Sequence, residues 1–113
     1  MCLTVKIVKK KPLRRVAWKV VRKNRSPIYQ NRPAGFYRKG RTVREDPSRI
    51  VTDTYDHVHI GLHVYTSLAK AYRELKRWHK DYGLLIKVRV SPNHWHADGI
   101  KGDAVYSQLT VLT

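Results

Sequence analysis

Leu3, Val5 and Ile7 alternate with polar or smaller neighbours, and this period of two predicts a first strand over residues 3–8. Ala17–Arg22 predicts a second. Gly61–Tyr65 reads as a short strand that runs into a capping turn at Thr66 or Ser67. Beyond it, Leu68, Ala71, Tyr72, Leu75 and Trp78 recur at helical spacing, which predicts an amphipathic helix over about residues 67–80. Lys76, Arg77 and Lys80 gather at the end of the helix, where cations suit its dipole, and Gly83 offers a stop. Leu84–Val90 begins apolar and then alternates, the pattern of a half-covered strand. Ala104–Leu112 reads as one last strand with Val105, Ser107, Leu109 and Val111 on one face, and Ile50–Val51 as a short one.

Between these elements the chain is punctuated. Pro12 and its like-charged neighbours make residues 9–15 an exposed basic loop, Asn24–Pro27 and Glu45–Ser48 are turns, and residues 25–49 form an irregular Arg/aromatic segment. Residues 91–103 are loop by composition, being rich in Pro, Asn, His, Asp and Gly. The expected fold is α+β: one domain over residues 1–113, a mainly antiparallel sheet of four to six short strands, able to curl into a partial barrel, with the helix on one face. Its expected core is Val5, Ile7, Trp18, Val20, Leu62, Val64, Leu68, Ala71, Tyr72, Leu75, Trp78, Ile86, Val88, Leu109 and Val111.

Composition narrows the class. With 113 residues there is room for one ordinary domain. No apolar run approaches the roughly 18 residues of a membrane span, and the opening Met1–Lys6 lacks the apolar segment of a secretory signal. A single cysteine, Cys2, forms no internal disulfide and fits a reducing cytoplasm. Charge alters the picture most. Lys and Arg number 24 against 8 acids, and residues 1–44 hold fifteen of those bases and no acid. A field of one sign attracts polyanions and adds salt-sensitive affinity for phosphate backbones. DNA, RNA or a host nucleoprotein complex is therefore the expected partner. An anionic membrane is not, since the basic half shows no amphipathic helix with a bulky apolar face.

The candidate nucleic-acid residues are Lys9, Lys10, Lys11, Arg14 and Arg15 in the loop, and Arg25, Arg32, Arg38, Lys39, Arg41 and Arg44 in the irregular segment. Tyr29 and Tyr37 sit among them, and aromatics interleaved with arginines can stack on bases or pin the loop to the core. Two other chemistries are open. His57 with His59, and His94 with His96, could together supply four imidazoles to a metal, as in a nuclease-like enzyme. His63 beside Tyr65 could act as a general base. No nucleophile elbow, phosphate-binding glycine loop or carboxylate pair is present, and no cofactor is implied. A third class, a module that docks on an acidic protein surface, needs only the charge.

The order of short motifs also carries a resemblance. Met1-Cys2-Leu3, the Ala17–Arg22 strand, Ser26–Tyr29, Gly61-Leu62-His63-Val64-Tyr65, the Ile86–Val90 strand and the closing Ala104–Leu112 follow one another. The chain resembles a group of short proteins of bacteriophages and bacterial genomes with a glycine-hydrophobic-histidine-hydrophobic-aromatic core motif. It departs from them in its basic loops, residues 9–15 and 38–44, and in its extra histidines. The resemblance implies a phage or mobile-element setting in a host cytoplasm, and with the charge it points to an inhibitor of a host defence or nucleic-acid-processing machine. It implies no reaction.

Overall fold

The computed structural model describes residues 3–8, 10–28, 30–78 and 80–113, with Trp78 described by its backbone alone. In chain order the elements are β1 (Leu3–Lys6), β2 (Val16–Arg22), β3 (Thr42–Arg44), β4 (His57–Val58), β5 (Leu62–Tyr65), α1 (Leu68–Trp78), β6 (Gly83–Arg89), β7 (Trp95–Gly99), β8 (Asp103–Tyr106) and β9 (Gln108–Val111). The fold is α+β. Nine antiparallel strands among the described residues form one open sheet in the order β3-β9-β6-β2-β5-β8-β7-β1-β4. That is more than the expected four to six, and the sheet does not close into a barrel.

Its centre is the seven-residue pairing of β2 with β6, Val16 opposite Arg89 through Arg22 opposite Gly83. On its other side β2 pairs with β5, Trp18 opposite Tyr65. Strands β5 and β6 are both antiparallel to β2, so they run parallel to each other and need a crossover. Helix α1 supplies it and packs over β2, β5 and β6. The Ser67 hydroxyl caps the helix by accepting from the Lys70 amide at 3.2 Å.

Alternation places the core. Ala17 and Val21 of β2, Leu62 and Val64 of β5, and Ile86 and Val88 of β6 join Tyr37, Tyr106, Leu109 and Val111 in the main cluster. A smaller cluster of Leu3, Val58, Ala97 and Val105 lies toward the β4 edge. Gly61 packs against the smaller cluster. Its φ of +127° is open to glycine, and a Cβ there would run into Val105 Cγ1.

Several expectations need correction. Ile7 lies beyond the end of β1 and is 95% exposed. Leu68 and Tyr72 are 51% and 52% exposed, because α1 is short and turns Ala71 to the sheet. Val5, Trp18 and Leu75 are half-buried, and the Trp78 side chain lies outside the description. Ile50 and Val51 form no strand, although Thr52 makes one bridge to Val58. The loop expected over 91–103 contains β7, and Ser107 divides the last strand in two.

Candidate nucleic-acid interface and histidine cluster

Strand β2 separates the two basic stretches. The Arg15 carbonyl accepts from the Val90 amide at one end of β2, while Arg22 and the 23–25 turn lie at the other. Seven strand residues span about 20 Å. The basic loop and the turn beyond Arg22 therefore lie apart, whereas β3 carries Arg44 back toward the Arg15 end, through the pairing of Thr42 with Thr110, Thr110 with Arg89 and Arg89 with Val16.

Within the loop, Lys10, Lys11 and Arg15 are exposed and Lys9 is outside the described residues. Arg14 is not an exposed arm residue. Its guanidinium grips Asp98 with two bonds, 2.9 and 2.7 Å, and donates to the Tyr106 hydroxyl at 3.0 Å. Trp95 Nε1 donates to the same carboxylate at 2.9 Å. Burial alone would raise the Asp98 pKa, but the bonds from Arg14 and Trp95 outweigh it and hold the carboxyl below its ordinary value. Arg14 is a staple between the loop and β7–β8.

The Arg/aromatic segment folds back on the far end of β2. The Gly35 amide donates to Asn24 and the Tyr37 amide to Arg25, while Gly40 donates to Val111. Tyr37 becomes core and presents no face to a base. Tyr29 lies outside the description. Phe36 takes the aromatic role instead: Arg32 and Arg41 lie 5.6 and 4.8 Å from its ring centre. Arg25 has φ 66° and ties the turn to the Tyr37 and Thr113 carbonyls at 3.2 and 2.9 Å. Arg38, Lys39 and Arg44 are exposed, and Arg44 Nε donates to Gln108. Arg22, which the composition of the segment did not single out, lies 5.5 Å from the Tyr82 ring centre and belongs to the same end. Among the described residues none of these arginines makes an ion pair.

A cavity of about 90 Å³ opens beside this end, lined by Lys19, Pro27, Ile28, Gln30, Tyr37, His59, Gly61 and His63. The Lys19 ammonium donates to the His63 carbonyl at 2.7 Å and lies 5.2 Å from the Tyr37 ring centre. Burial lowers its pKa to about 8. The unfolded chain then binds more protons between pH 8 and 10.5, so stability should rise with pH across that window. A shift of this size corresponds to about 3 kcal/mol, but the side chain keeps part of its surface in water, which reduces it. Lys19→Met should therefore stabilise the fold by roughly 1–2 kcal/mol at pH 7 and flatten the alkaline rise. Urea titrations at pH 7 and 10 measure both.

His63 sits in the same wall. Its Nδ1 faces the Gly61 carbonyl and its Nε2 the Val58 carbonyl, each at 3.2 Å. Burial, and then the charge of Lys19, lowers its pKa to about 4 against the pull of the two carbonyls. With both ring nitrogens turned to the main chain, the His63–Tyr65 pairing offers no free imidazole nitrogen to a substrate.

The four-histidine metal set is not formed. His57 and His59 lie at the β4 edge, while His94 and His96 lie at and in β7, with β1 between β4 and β7. The histidines at the edge gather a carboxylate instead. Asp53 Oδ1 accepts from the Tyr55 and His57 amides at 2.8 and 2.9 Å, and Oδ2 faces His59 Nε2 at 3.0 Å. One ligating atom from each of Asp53, His57 and His59 lies within 4.8 Å of the others.

No protein family, curated protein or solved structure matches the chain.

Proposed function

We propose that the protein binds nucleic acid through the end of the sheet where Arg22, Arg32, Arg38, Lys39 and Arg41 gather. One observation carries the reading: these cations have no carboxylate partner among the described residues, and three guanidiniums lie over aromatic rings. A buttressed guanidinium is ordered in advance and keeps N–H edges for phosphate oxygens. Its flat face can also take an unstacked base. The affinity is largely electrostatic and independent of sequence.

The setting that fits this chemistry is a phage-type protein in a host cytoplasm, acting without a reaction of its own. It occupies the RNA or DNA that a host defence or processing complex would otherwise hold. A module for acidic protein surfaces, the rival reading, has no affinity for free oligonucleotides.

Electrophoretic mobility shifts across a salt series test the proposal. The combined change of Arg32, Arg38, Lys39 and Arg41 to Ala should weaken binding about ten- to fiftyfold. The salt slope should fall by about one for each phosphate that is no longer neutralised. Changing Lys10, Lys11 and Arg15 to Ala should cost less, because they lie at the opposite end of β2. Unchanged affinity in the four-site variant, with its melt intact, would overturn this assignment.

A further inference from the structure

The turn before β4 departs from the rest of the chain in charge. Residues 50–69 contain Asp53 and Asp56 but no Lys or Arg, in a protein of net charge +16. Within this stretch a cation meets two carboxylates and no basic side chain, although His59 shares a cavity wall with Lys19.

Three side chains of this stretch already share a small volume. His57 opens the short strand β4 and His59 follows directly after it. Their ring centres are 6.1 Å apart. Asp53 closes the set, and its two oxygens divide the work. Oδ1 is committed to the Tyr55 and His57 amides, which fixes the carboxylate plane, while Oδ2 remains directed at His59. Carboxylate orientation by backbone amides is the kind of outer support that metal ligands have.

The distances suit a tetrahedral ion. Bonds of about 2.0–2.2 Å from imidazole nitrogen and carboxylate oxygen place neighbouring ligand atoms roughly 3.4 Å apart. Asp53 Oδ2 and His59 Nε2 are at 3.0 Å, and no pair in the set exceeds 4.8 Å. Side-chain rotation of about an ångström closes the set around an ion without moving the backbone. An Asx turn and a hydrogen bond account for Asp53 and His59, but not for the His57 ring beside them. His59 and Asp53 both reach solvent, so an ion can enter and keep water in its fourth position.

We propose that Asp53, His57 and His59 bind a divalent transition metal of the zinc class. Two imidazoles and one carboxylate suit such an ion, whereas magnesium and calcium take oxygen ligands.

Protein free of an oligohistidine tag and stripped with chelator is titrated with zinc chloride against a chromophoric chelator, with magnesium chloride as control. About one equivalent of zinc should bind, and magnesium should not compete. His57→Ala, His59→Ala and Asp53→Asn should each weaken zinc at least tenfold; the asparagine keeps the oxygen that builds the turn. Apo melts check that each variant folds. Zinc-induced NMR shifts of the His57 and His59 rings in the unaltered protein give a readout independent of any variant. The proposal is overturned by the absence of stoichiometric uptake. It is equally overturned by uptake that survives the double change of His57 and His59, or by shifts confined to His94 and His96.

Discussion

Arg14→Ala should lower the stability of the fold by roughly 2–4 kcal/mol, although the residue belongs to a proline-broken basic loop. Removing one partner of a buried ion pair typically costs about 3–5 kcal/mol, because the other charge is left without compensation. Here the side chains keep 21% and 14% of their surface in water, which trims the figure. The loss has three parts: the Asp98 carboxylate loses two bonds, the Tyr106 hydroxyl loses its donor, and the loop loses its anchor. Arg14→Lys should recover less than half, since an ammonium cannot make the paired contact. Urea titration of Arg14→Ala, Asp98→Ala and the double variant would give a coupling energy of about 1–3 kcal/mol. A loss below about 0.5 kcal/mol, the range of ordinary surface changes, would show that the staple does not hold. Lys10, Lys11 and Arg15, changed together to Ala, should stay near that range.

Acid should destabilise the protein well above the pH at which carboxylates titrate, and His63 should be the main reason. Its ring titrates near 6.5 when free and near 4 in the fold, where burial and Lys19 oppose the charged form. Between those values the unfolded chain binds the extra proton, so stability falls as pH falls through the window. Linkage with these two values gives a loss of about 2 kcal/mol from pH 7.5 to 5, and about 3 kcal/mol once pH is below both. His96, lowered by burial and by His94, adds in the same direction. Asp103, whose pKa burial raises, works against it. The Asp98 carboxyl, held low, titrates below this range. Denaturant titrations from pH 4.5 to 7.5 should show the slope, and His63→Gln should flatten it whatever it does to stability at pH 7.5. An equal slope in that variant would mean that His63 is not the group responsible.

The strands with regular alternation are legible in the sequence. Ile86, Val88 and Val90 are buried and Lys87 and Arg89 exposed, as their spacing requires. Strand β7 is not legible, because its residues are there for reasons that mimic a loop. Gly99 leaves room where a Cβ would meet the Asp103 carboxylate and Leu3. Asp98 is the counter-ion of Arg14, and the register shifts between Trp95 and Ala97. The apolar stripe of α1 predicts the helix correctly and overstates its share of the core, since Ala71 is buried while Leu68 and Tyr72 stay half exposed.

At the candidate sites, the number of basic residues is visible in the sequence but their division is not. Arg14 and Asp98 are 84 positions apart, and only the fold distinguishes that arginine from Arg15 beside it. Phe36 takes the place of Tyr37 because the segment turns its tyrosine inward. Asp53 lies four and six residues before the two histidines. It joins them only when the 53–56 turn closes, with Asp56 at φ 60°.

The pairing scheme has a consequence in time. Strand β1 pairs with β4 and β7, β2 with β5 and β6, and β3 with β9. Each of the first three strands thus waits for partners that begin at residue 57 or later. As the chain leaves a ribosome, no strand of the first half finds a strand partner within it, and loop-closure entropy must be met before long-range pairing repays it. That half carries fifteen bases and no acid through residue 44. Mutual repulsion disfavours its collapse, and the charge per residue of the nascent chain is highest in this first stretch. Assembly is therefore a late event, completed when β9 arrives to pair with β3 and β6.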